Sequence, residues 1–184
     1  GTAPVLFDVA GATPSALTIG LGKDGNAYLL DRTNLGGVGG ALAVQAVSAN
    51  GIINAAAAYT TALGTYVAFR GRGTGCAAGQ NLASLRIAPA APPTIAVAWC
   101  ANQGGWGSPI ASTTDGRSDP IVWGVGAEGD NRLHAFDGDT GAVLFGGGAA
   151  GDVMSTVEHM QTPIIAKGRI FVAANTRLYA FTVR

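Results

Sequence analysis

Four times along this chain an apolar run stops at a polar turn and resumes as a second apolar run, and this recurrence limits the fold more than any other feature. The fullest copy is VGAEGDNRLHAFDGDTGAVLF, residues 125–145, which ends one alternation on Asp-Gly-Asp-Thr-Gly and starts another. It can be laid over ALTIGLGKDGNAYLLDRTNLGG and RIFVAANTRLYAFTVR. A degenerate copy, GTYVAFRGRGTGCAAGQNLASLRI, has a longer central turn. With Ile19, Val67, Val122 and Phe171 as equivalent positions, the copies recur at steps of 48, 55 and 49 residues. Short β-branched and aromatic runs broken by Gly, Asp, Asn and Pro read as strands joined by turns. A period near 50 residues predicts four-stranded repeats.

Each copy also has a first and a last strand. APVLFDV, GSPIAST and QTPIIAK precede three of the hairpins, and proline suits the start or edge of a strand because it cannot donate to a ladder. The second copy uses INAAAAYTT instead. ALAVQAVS, TIAVAWCA and AVLFGGG serve as fourth strands, whereas the last copy ends after three. The expected fold is all-β, a propeller of about four blades at residues 4–50, 51–104, 105–151 and 152–184. A lone small sheet cannot bury both faces, so such blades stack around an axis. A closed four-bladed ring and half of a larger ring both satisfy the pattern. A β-sandwich is the alternative, although nothing in a sandwich requires this period.

Composition narrows the function classes. With 48% hydrophobic and 12% charged residues, the chain reads as a buried globular core. Eleven basic side chains balance eleven acidic ones, so no overall field favours nucleic acid, which is not an expected partner. Apolar stretches such as IINAAAAY fall short of the roughly 20 residues that span a bilayer, so no membrane span is expected. The start, GTAPVLFDVAG, shows no basic region followed by an apolar one, so any export signal is expected to have been removed or to lie outside this sequence.

Cys76 and Cys100 are the only cysteines, and no neighbouring histidine gives zinc spacing. They are either two buried thiols or one disulfide of an exported protein. On the strand map Cys76 lies in the enlarged turn of the second repeat and Cys100 on its fourth strand, which makes a bridge plausible. A bridged pair places the chain in the periplasm or outside the cell.

The motif LHAFDGDTGAVLF resembles the repeat of pyrroloquinoline quinone (PQQ) dependent dehydrogenases, through Leu133, Ala135, Asp137, Thr140 and Gly141. Phe145 sits near where that repeat carries a tryptophan that docks between blades. APVLFDVAGATPSALTIGLGKDGNAYLLDRTN is similar to a Pro-x-Leu strand and Lys-Asn-Gly hairpin of quinoprotein alcohol dehydrogenases, and TPIIAKGRIFVAANTRLYAF resembles their later blades. The likeness covers nearly the whole chain, but only about half of that family's eight-bladed ring. It implies that Lys23 contacts the quinone, where an ammonium would stabilise developing negative charge. The plain alternative for Lys23 is a solvated turn residue. The family's Trp-Asp-x-Asp motif, adjacent-cysteine ring and calcium ligands are absent from this sequence, so PQQ with calcium is expected only if further residues complete an enzyme. The resemblance therefore implies a binding or assembly module of an exported protein, alternatively the C-terminal part of such a dehydrogenase, with a second propeller half or another subunit as partner. No catalytic residue is assigned.

Other polar residues are weighed singly. Glu158 and His159 adjoin the first strand of the last repeat, where loops between blades face a central funnel; they are either funnel groups or an ordinary polar pair. His134 lies within a strand and is not assigned catalysis. Asp137 and Asp139 lack the continuation of a helix-loop-helix calcium site and read as turn formers, so no metal is expected. Arg70 and Arg72 fall in an enlarged surface loop without a phosphate-loop pattern, a segment suited to binding or assembly. Trp99, Trp106 and Trp123 read as core between blades rather than as a sugar platform.

Overall fold

Where the alternation of apolar and polar residues is unbroken the chain extends, and where Gly, Asp or Asn interrupts it the chain turns. In the computed structural model, which describes residues 1–182, this gives fifteen strands. The last two residues of the fourth repeat, 183–184, lie outside the described residues. The first sheet runs β1 (Val5–Asp8), β2 (Ala16–Leu21), β3 (Asn26–Asp31), β4 (Ala43–Ala46). The second runs β5 (Ala57–Thr61), β6 (Gly64–Arg70), β7 (Leu82–Ala88), β8 (Thr94–Ala101). The third runs β9 (Ile110–Ser112), β10 (Ile121–Val125), β11 (Leu133–Asp137), β12 (Val143–Gly146). The fourth has three strands, β13 (Ile164–Ala166), β14 (Arg169–Ala173) and β15 (Leu178–Thr182). Every pairing is antiparallel between consecutive strands, so all four sheets are meanders.

Register explains how the sheets stack. Because side chains alternate across a strand, Val5, Ile19, Leu29 and Ala43 form one cross-strand row, and Ala58, Val67, Leu85 and Val97 form another. The two rows belong to one apolar cluster between the first and second sheets. The alternate residues of β5 and β6, Tyr59, Tyr66 and Ala68, turn the other way and pack with Trp99, Val122 and Phe136 between the second and third sheets. Trp123 and Ala135 then meet Ile170 and Phe181 between the third and fourth. Four small antiparallel sheets packed face to face in chain order are consistent with a propeller-like arrangement. No helix among the described residues is long and apolar enough to cross a membrane.

The Asp-Gly-Asp-Thr-Gly turn does more than reverse the chain. Asp137 Oδ1 accepts from the backbone N–H groups of Asp139 and Thr140 and from the Thr140 hydroxyl, which fixes the turn. The Gly138 carbonyl thereby exposed accepts from Trp99 Nε1 at 2.7 Å and from the Tyr59 hydroxyl at 2.6 Å, both on the second sheet. Gly141 lies flat against the Trp99 ring in a positive-φ conformation, and a β-carbon there would stand 2.7 Å from the indole. Glycine is thus required twice over, by backbone conformation and by the close approach of the ring.

Apolar residues remain uncovered at the two ends of the stack. Leu6 on the outer face of the first sheet is 64% exposed, and Val44 is also exposed. On the outer face of the last sheet Ile164, in register with Phe171, is exposed and Leu178 is 68% exposed. Among the described residues no apolar cluster joins the fourth sheet to the first.

Cys76 and Cys100 form a disulfide, with Cα atoms 5.8 Å apart. It ties the loop after β6 to β8, the last strand of the same sheet, and fits an extracellular or periplasmic protein. A bridge closing a loop of this length stabilises a fold by up to about 3 kcal/mol. Reduction is therefore expected to lower the denaturation midpoint, measured by urea melts with and without a thiol reductant. Unchanged midpoints would show that the bridge does not constrain the unfolded chain.

Candidate functional site

In a four-stranded meander, the turn between the second and third strands and the connection leaving the fourth lie at the same end. All such turns and connections therefore gather on one face, and backbone hydrogen bonds weave them together. The Gly25 carbonyl accepts from Val47 and Ser48, the Arg72 carbonyl from Ala49, and the Val157 carbonyl from Glu128. Lys23, Arg70, Arg72, Trp106, Glu128, Glu158 and His159 all belong to this loop face.

One side chain holds three connections at once. Asn54, buried in the connection from the first to the second sheet, donates through Nδ2 to the carbonyls of Trp106 and His159, both at 2.6 Å. These carbonyls belong to the next two connections, and Ser108 Oγ completes the junction by accepting from the Ala55 N–H. Asn54 gave no sequence signal, since a single Asn in INAAAAY looks like any strand-edge polar residue.

Glu158 and His159 do come together, with a residue the sequence analysis did not single out. Glu128, in the Gly-Ala-Glu-Gly-Asp turn after β10, accepts from the His159 backbone N–H at 3.2 Å and pairs with His159 Nδ1. One ligand atom from each of Glu128, Glu158 and His159 lies within 4.8 Å of the others, at the solvent-facing surface. The His159 contacts hold the Glu128 carboxyl below the usual carboxylate range. His134 is buried, with Nε2 at 2.8 Å from Asp130, and takes no part in this group.

Lys23 is exposed in a turn shaped by its neighbour. Asp24 accepts from the Asn26 backbone N–H at 3.1 Å, from its side-chain amide and from the Tyr28 hydroxyl. The Tyr28 and Asn26 contacts bring the Asp24 carboxyl down to about 2. Gly51 of the next connection packs on the Lys23 backbone so closely that a β-carbon would meet the Lys23 carbonyl at 2.7 Å.

Arg70 departs most from its sequence reading. It is the last residue of β6 rather than part of an exposed loop, and it is only 8% exposed. Its guanidinium stacks on the Trp106 ring, 3.2 Å from the centroid. Trp106 itself, read as core with the other tryptophans, is 43% exposed, whereas Trp99 and Trp123 are buried. The difference is local: Trp99 and Trp123 lie in strands, while Trp106 lies in a glycine-rich connection with no alternation to give it a buried face. Between the loop after β6 and the flanking connections lies a cavity of about 520 Å³, lined by Asn50, Gly51, Arg70, Arg72, Asn81 and Trp106 among others.

No family model matches the chain, and no curated protein matches its sequence.

Two outcomes test this face. Asn54→Ala strips two loop carbonyls of their shared donor and should cost about 2 kcal/mol in urea melts. Asn54→Asp should cost more, because a carboxylate would face those same carbonyls. The second test is acidification. The lowered carboxyl of Glu128 contributes stability above the normal glutamate range that is lost as pH falls through its depressed value. Carbon-detected NMR titration should place the Glu128 midpoint below that of free glutamate, and His159→Ala should move it back up.

Proposed function

We propose that this chain is a PQQ-like repeat module of a periplasmic or secreted protein, acting as a binding or assembly scaffold without complete catalytic machinery of its own. The observation that supports this most is the pair of uncovered apolar faces at the ends of the stack. On the first sheet Leu6 and Val44 lie uncovered in neighbouring outward rows that also hold Leu30 and Tyr28, and on the last sheet the outward row Ile164, Phe171 and Ala180 is wholly apolar. Exposed apolar sheet faces of this kind mark interaction surfaces. Further blades of the same type, from a second propeller half or another subunit, are the natural occupants.

The dehydrogenase alternative rests on Lys23, whose exposed position on the loop face leaves its ammonium available. The surrounding residues do not make a quinone and calcium site by themselves. Asp24, the adjacent carboxylate, is occupied by Asn26 and Tyr28.

Native mass spectrometry with and without PQQ and calcium separates the two readings. The scaffold reading expects species heavier than the 18.3 kDa chain at micromolar concentration, reduced to the single chain by Leu6→Asp and Leu178→Asp together. Uptake of one quinone per complex, abolished by Lys23→Ala, would instead establish the dehydrogenase reading. A single 18.3 kDa chain that takes up no quinone would overturn the dehydrogenase reading and self-association, and leave a binding module whose partner is a different polypeptide.

A further inference from the structure

The guanidinium of Arg70 has two kinds of surface, a flat face and an edge carrying five N–H donors. Trp106 covers the face. Nothing among the described residues satisfies the edge: no side-chain or backbone acceptor bonds to it, and Nε is buried without a partner. Among the described residues no carboxylate forms an ion pair with it either. Burial without a counter-charge lowers Arg70 to about 10, which leaves it cationic at neutral pH. Of its nitrogens Nε is buried without a partner, and the terminal pair is left without an acceptor among the described residues, at the edge of a cavity; a cation so placed calls for an explanation.

The cavity beside it supplies one. Arg70 lines it from within, Arg72 stands exposed two residues on, and none of the described residues in its walls is acidic. Its size suits a small organic molecule better than a single water. The walls are fixed independently of any ligand. Asn81 donates to the Gly105 carbonyl and accepts from the Gln103 N–H, while Gln80 bonds the Cys100 carbonyl and the Ala77 N–H. We infer that this cavity is a binding site for a small molecule bearing a carboxylate or phosphate group, which pairs with the Arg70 edge while Arg72 supplies a second positive charge at the opening. A planar fork facing two anionic oxygens gives paired, charge-assisted hydrogen bonds, the arrangement for which arginine is suited and lysine is not. The site does not depend on whether further blades cover the ends of the stack.

Isothermal titration of the purified chain with succinate, citrate and inorganic phosphate, at low ionic strength, tests the inference. Tryptophan fluorescence provides a second readout, with Trp106→Phe to assign the signal. One-to-one binding by at least one of these anions is expected. Arg70→Lys should weaken it by roughly tenfold, because the charge remains but the paired donors and the stack are lost. Arg72→Ala, at an exposed position that leaves the fold intact, should weaken it several-fold. Binding by phosphate alone would assign a phosphate ligand, and binding by succinate or citrate alone a carboxylate. The inference is overturned if none of the three binds below about 10 mM, where association would amount to no more than a few kcal/mol. It is equally overturned if Arg70→Lys and Arg72→Ala both bind as the parent does.

Discussion

A sheet of three or four short strands with apolar residues on both faces cannot exist alone in water, and the architecture follows from that instability. Each face needs another sheet, and the cross-strand rows show how the need is met. Val67 and Phe69 of β6 serve the first sheet, while Tyr66 and Ala68, one residue out of phase, serve the third. A one-residue slip in β6 would exchange the two sets and disrupt both interfaces at once. Hydrophobic burial supplies the attraction, and the Gly138 carbonyl, shared by Trp99 and Tyr59, sets the relative position of the second and third sheets. The attraction is non-directional and the hydrogen bonds are directional, so the two contributions do different jobs.

The same strand parity that stacks the sheets decides where polar chemistry can collect. Each meander delivers its central turn and its outgoing connection to one end, so residues far apart in sequence meet there without any motif linking them. Asn54 touches carbonyls of Trp106 and His159, and Glu128 touches His159. These meetings depend on the stacking of complete sheets, not on any local conformation.

This is also why the fold was more legible in the sequence than the site. The period near 50 residues, the proline-led first strands and the Asp-Gly-Asp-Thr-Gly turn are local patterns, and each corresponds to a strand or turn in the structure. Even the short last repeat reads correctly as three strands. Arg70 illustrates the opposite case. Glycines on both sides of Arg72 suggest an exposed loop, but β6 extends through Arg70 by pairing with Leu82, and that pairing lies across the long turn. Trp106 is likewise exposed because its connection lacks alternation, although tryptophan composition suggests burial. Glu128 escaped notice because a glutamate in a glycine turn has no distinctive spacing, and only the stack brings it to His159. The disulfide was legible because the strand map placed Cys76 in the long turn and Cys100 on the fourth strand of the same repeat.

That disulfide has a consequence beyond the strength of the fold. The loop after β6 is closed at its neck by the bond from the Gly71 N–H to the Asn81 carbonyl, and Cys76 anchors its middle to β8. Arg72, Gln80 and Asn81 ride on this loop, so one wall of the cavity is tethered at neck and middle. A free loop would have to be ordered each time something entered, and the entropy of that ordering would subtract from affinity. Here the ordering takes place once, when the cysteines are oxidised during maturation. Oxidative folding thus acts as a rehearsal for recognition: the cavity keeps its shape between encounters, and a chain kept reduced would meet the same molecule with a slack wall.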